Sequence, residues 1–91
     1  MELYTFIMEY LGGTYISQVK AKDKEKARAI WIRKLEVKEI KSFTIRDQKN
    51  IIKENFSDND LVLIKGTKSV WCFTVITKKG YGHVNLIKTK L

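Results

Sequence analysis

Residues 69–91 read SVWCFTVITKKGYGHVNLIKTKL, and the way this stretch pairs decides the fold. An apolar run, a Lys-Lys-Gly-Tyr-Gly turn and a second alternating run make it the densest β signal in the chain and the expected centre of a sheet. With Lys79 and Gly80 as the turn, Trp71 faces Lys88, Phe73 faces Leu86 and Val75 faces Val84. One face of the hairpin then carries Trp71, Phe73, Val75, Val84 and Leu86. The other carries Cys72, Thr74, Ile76, His83, Asn85 and Ile87. A shift by one residue puts Phe73 opposite Asn85 and Val75 opposite His83, which mixes the faces, so the alternation favours the first register. Glycine at the second turn position also suits a type I′ turn.

Immediately upstream, residues 61–65 read as a short strand, and Gly66, Thr67 and Lys68 turn the chain into the hairpin. At the other end, residues 2–20 predict a second hairpin with Gly12 and Gly13 as its two-residue turn, since such turns demand positive φ. That register pairs Tyr10 with Tyr15, Met8 with Ser17 and Phe6 with Val19. It gathers Tyr4, Phe6, Met8, Tyr10, Tyr15 and Val19 on one face and Thr5, Ile7, Glu9, Ile16, Gln18 and Lys20 on the other.

Between the hairpins lie two helical patterns. Asp23 is a good N-cap for a helix over 23–36, where Ala27, Ile30, Trp31 and Leu35 form an apolar stripe. Trp31 reads as a core anchor. Residues 37–42 form a linker or short extended piece. Thr44 and Asp47 then make a capping box, with Asp where Glu is commoner, opening a helix through about Phe56 that buries some of Ile45, Ile51, Ile52 and Phe56. A polar loop at 57–60 ends it. The sum is one small α+β domain over 1–91, ordered ββ-α-α-βββ, with two helices covering the aromatic-rich face of a mostly antiparallel sheet.

Composition bounds the function. The chain has 91 residues with 44% hydrophobic content, enough for a single core. No run approaches the roughly 18 apolar residues of a membrane span, and the opening MELYTFIMEYLGG lacks the basic start of a signal peptide. The lone Cys72 excludes an intrachain disulfide and fits a reducing, cytoplasmic setting. The formal net charge is +8, and fifteen of the eighteen basic residues are lysines. Such a charge attracts nucleic acid and acidic partners, although base readers usually lean on arginine.

Catalytic chemistry has few carriers. In the expected register His83 pairs with Ile76, on the order of 13 Å of strand from Cys72, too far for a thiol–imidazole dyad. One Cys and one His cannot complete a zinc site. Asp58 and Asp60 lack the glycine and distal glutamate of a calcium loop, and neither glycine pair is followed by a helix to hold phosphate. The expectation is therefore no catalytic residue, no metal and no cofactor. Two non-catalytic clusters stand out. Lys78, Lys79, Tyr81 and His83 at the tip of the last hairpin, with Lys65 and Lys68 placed nearby, and also Lys20 and Lys22, are candidates for holding a nucleic-acid backbone and stacking a base. Ile7, Ile16, Gln18, Thr74, Ile76, Asn85 and Ile87, on the mixed sheet face, are candidates for a dimer or partner interface.

Residues 3–35, including GGTYISQVKAKDKEKARAIWIRKL, resemble the opening of HicB-like antitoxins, which also run strand, turn, strand and then a helix entered through a polar cap and an alanine. The likeness covers about a third of the chain. It departs from the family in lacking strand residues around a glycine before the helix, and the rest of the chain does not match. The resemblance implies a partner-binding module. Residues and resemblance together point to a non-enzymatic interaction module that binds a protein partner or itself through a sheet face or edge. The alternative is a lysine-rich nucleic-acid backbone binder.

Overall fold

The computed structural model describes residues 1–54 and 61–89. Strands β1 (Glu2–Tyr10) and β2 (Gly13–Ala21) precede helix α1 (Lys24–Lys34), a 3₁₀ turn at Val37–Glu39 and helix α2 (Ile45–Glu54). Strands β3 (Val62–Leu63), β4 (Val70–Ile76) and β5 (Tyr81–Thr89) complete the chain. This is the expected ββ-α-α-βββ order. All five strands join one antiparallel sheet in the order β2-β1-β5-β4-β3, so β5 is the middle strand.

Both helices lie on one face. The buried side chains of that face are Tyr4, Phe6, Met8, Tyr10 and Val19 from the first hairpin and Phe73, Val75, Val84 and Leu86 from the last. The alternation therefore assigned the faces of both hairpins correctly. Trp31 is the anchor, stacked on Phe6 at 5.2 Å between ring centroids and edge-on to Phe73 at 5.5 Å.

Both hairpin registers differ from expectation by two residues. In the first, Tyr10 pairs with Gly13, Met8 with Tyr15 and Phe6 with Ser17, so Leu11 and Gly12 form the turn with φ of 44° and 85°. Both central residues are left-handed, as type I′ requires. Gly13 is thereby released to the strand, where the Tyr15 ring lies across it: a Cβ there would meet the Tyr15 hydroxyl at 2.6 Å. In the last hairpin, Phe73 pairs with Val84, Val75 with Gly82 and Ile76 with Tyr81, centring the turn on Lys78 and Lys79. A two-residue slip leaves every side chain on its face, so hydrophobic alternation cannot detect it.

The helices largely follow their signals. Asp23 accepts the Lys26 backbone N–H at 2.8 Å as the N-cap of α1. The helix stops at Lys34, because Leu35 is already extended. Its buried residues are Ala27, Arg28, Trp31 and Ile32, so the buried stripe is rotated from the expected one and leaves Ile30 and Leu35 half-buried. The Arg28 guanidinium sits 5.3 Å over the Phe73 ring, which explains how an arginine enters that stripe. The 37–42 linker contains the 3₁₀ turn and delivers Ile40 and Phe43 to the core. In α2, Ile51 is buried, Ile52 half-buried and Ile45 exposed. The expected contribution of Phe56 and the polar loop after it lie outside the described residues.

Candidate functional site

Five strands with helices on one side leave the opposite face of the sheet without any described element on it. The pairings order that open face into rows across the sheet. One row is Thr14, Glu9, His83 and Thr74. The next is Ile16, Ile7, Asn85, Cys72 and Val62, and the third is Gln18, Thr5, Ile87 and Val70. Every member of the expected interface set is here: Ile7, Ile16, Gln18, Thr74, Asn85 and Ile87 in the rows, and Ile76 beside Tyr81 at the hairpin end. Ile16, Ile76, Tyr81 and Val62 are 66, 73, 68 and 56% exposed. Polar side chains tie neighbouring strands together between them. The Thr14 hydroxyl donates to Glu9 at 2.8 Å, and the Gln18 amide donates to the Thr5 hydroxyl at 3.0 Å. The surface is thus a braced polar lattice with isoleucines standing out of it.

The lysine set does not gather. Lys78, Lys79 and Tyr81 sit at the β4–β5 turn, with His83 on the adjacent row. Lys20 and Lys22 lie at the other end of the sheet, by the β2–α1 connection. Lys65 and Lys68 are at that same end, in the β3–β4 turn. The expectation that these last two lie near the hairpin tip is corrected: β4 runs seven residues between them, about 23 Å. From Lys20 they are separated by the width of the sheet, four spacings or about 19 Å.

Lys78 also has a local partner. Thr44 and Asp47 form the full reciprocal capping box: the Asp47 N–H donates to the Thr44 hydroxyl at 3.1 Å, and the Thr44 N–H donates to the Asp47 carboxylate at 2.9 Å. Burial pushes the Asp47 carboxyl up. The Thr44 backbone N–H and hydroxyl, with the backbone N–H and the ammonium of Lys78, outweigh burial and hold it below the usual carboxylate range. On the other side of the turn, the Thr77 hydroxyl accepts the N–H groups of Lys79 and Gly80, both at 3.2 Å, and lies 2.7 Å from the Tyr10 hydroxyl, which donates to the Ser42 carbonyl at 2.6 Å. Asp47 and Thr77 thus clamp the turn at Lys78 and Lys79. That explains its displacement from Lys79 and Gly80. Asp47 was not singled out for this role because Lys78 lies 31 residues further along the chain; Thr77 reaches only two and three residues on, to Lys79 and Gly80, a local turn contact that the hydrophobic alternation does not register.

The register also revises the distance between Cys72 and His83. Cys72 faces Asn85, and His83 faces Thr74, so the two are diagonal neighbours with backbones about 7–8 Å apart rather than 13 Å. Cys72 is half-buried and His83 exposed. Among the described residues no hydrogen bond joins them, and no three of His, Cys, Asp and Glu come together in a way that could hold a metal ion. No described helix is long and apolar enough to cross a membrane.

Compared with known families, characterised proteins and solved structures, the chain matches none. The likeness of residues 3–35 to HicB-like antitoxins gains no support there, and function has to be argued from the surface itself.

Proposed function

We propose that this chain is a non-enzymatic interaction module whose helix-free sheet face binds a protein partner, a second copy of itself included. The observation that carries this reading is the open face: Ile16, Ile76, Val62 and Tyr81 stand more than half exposed on a sheet face that Ile7, Ile87 and Val70 continue inward. A rigid, hydrogen-bonded floor with isolated apolar projections presents contact area at low ordering cost. Sedimentation velocity over a concentration series tests it, with Ile16→Lys combined with Ile76→Lys as the variant. Both side chains are solvent-exposed, so the variant keeps its melting temperature. Association that disappears in the variant supports the face; association unchanged by it rejects the face.

A second reading, binding of a nucleic-acid backbone, is favoured by the exposed Tyr81 ring beside Lys79 and His83 at one end of the same face. It is weakened by the dispersal of the other lysines and by the Asp47 carboxylate at Lys78. Anisotropy of labelled single-stranded RNA across a salt series decides it: a steep linear fall of log affinity with log salt supports it, and affinity no tighter than about 10⁻⁴ M rejects it.

A further inference from the structure

The edge of the sheet holds a separate opportunity. Tyr10 and Gly13 flank a two-residue turn and so exchange hydrogen bonds with each other. Pairing alternates from there, and Tyr15, Ser17 and Val19 turn their backbone groups toward β1. Thr14, Ile16 and Gln18 therefore turn theirs outward, along the free side of edge strand β2. Among the described residues no hydrogen bond engages these outward groups. The strand has no proline, and its nine residues pair without a bulge, so it lacks two devices that usually guard an edge.

A groove of about 490 Å³ runs beside this same edge. Its floor is apolar, made by Tyr15, Val19, Trp31, Leu35 and Ile40. The charged groups on its lip are Lys34, Glu36 and Glu39, a net negative rim on a chain of net charge +8. Unused donors and acceptors, an apolar trough parallel to them and an acidic lip are the three elements of strand addition: backbone bonds give affinity, and the trough selects alternate side chains.

We propose that the β2 edge and its groove bind an extended segment of a partner protein as a sixth strand, one that alternates apolar side chains into the trough and carries basic residues at its flanks. This site is distinct from the open face. It shares with the proposed function only the premise that the chain binds protein.

The test uses a capped heptapeptide, KTVTVTK, whose valines and lysines fall on one side of an extended strand, and its acidic counterpart ETVTVTE. Amide hydrogen exchange is followed by NMR on the whole chain. Expected is slowed exchange at the amides of Thr14, Ile16 and Gln18 with the basic peptide, and affinity about three- to tenfold weaker for the acidic one, the range two exposed ion pairs supply. Glu36→Lys with Glu39→Lys, both exposed in the native chain, should reverse that preference without unfolding the protein. Four results overturn the proposal: no change in exchange at the three amides with peptide in excess; equal affinity for the two peptides; perturbation confined to Ile7, Asn85 and Ile87 on the open face; or protection of the three amides that rises with protein concentration in the absence of peptide, which assigns the edge to a second copy.

Discussion

Leu11 is the residue whose conformation is least expected. A leucine at φ 44° is left-handed, which costs about 1–2 kcal/mol in a residue with a Cβ. It accepts this so that Gly12 takes the second turn position and Gly13 stays flat beneath Tyr15. Leu11→Asn creates the favoured Asn-Gly turn and should stabilise the protein by about 1 kcal/mol in urea unfolding, with an unchanged slope. Asp47 acts in the opposite sense. Its carboxyl titrates below its unfolded value, so its stabilisation is fully present above about pH 4 and is lost as the pH falls through the folded value. Asp47→Asn should cost about 1–2 kcal/mol at neutral pH and flatten the acid limb of the stability profile, which thermal melts from neutral to acid pH would show.

At the scale of elements, what could be read in the sequence was parity. Phe6, Met8, Phe73 and Val84 alternate with polar neighbours, and any even register sends them to the core. Which even register forms was settled by contacts that alternation does not encode: the Tyr15 ring over Gly13, and the hold of Asp47 and Thr77 on the last turn. The open-face residues were legible for the same reason, since a face assignment survives a two-residue slip. The lysine cluster was not, because gathering Lys65 and Lys68 with Lys78 depended on the folding-back of β3 and β4, not on alternation. Arg28 was missed because an arginine in a buried helical stripe runs against its usual exposure. The observed register also makes Gly82 a packing position: a Cβ there would meet the Val75 side chain at 3.0 Å and the Met8 sulfur at 3.2 Å. Gly82→Ala should therefore cost about 1–3 kcal/mol in denaturant unfolding.

Across the whole molecule, stability should follow depth in the sheet. β5 is hydrogen-bonded along both sides, β1 lies between β5 and β2, and the aromatic stack of Phe6, Trp31 and Phe73 bears on this centre. Amides of β1 and β5 should exchange only on global unfolding, while those of the two-residue β3 and the outward groups of β2 exchange through local opening or directly. Native-state exchange in low denaturant would show the two classes. A sheet with this stiff centre can add a strand along its β2 edge without rebuilding its core.

The pairing of β1 with β5 has a consequence in time. Leu3 lies opposite Thr89, so the strand that begins the sheet meets its inner neighbour only after some eighty residues have been made. Through synthesis β1 has β2 for company and a vacant inner flank, and closing so long a loop is slow compared with forming either hairpin. The first hairpin therefore waits as a two-stranded ribbon, one flank of β1 unpaired, until β5 docks beside it.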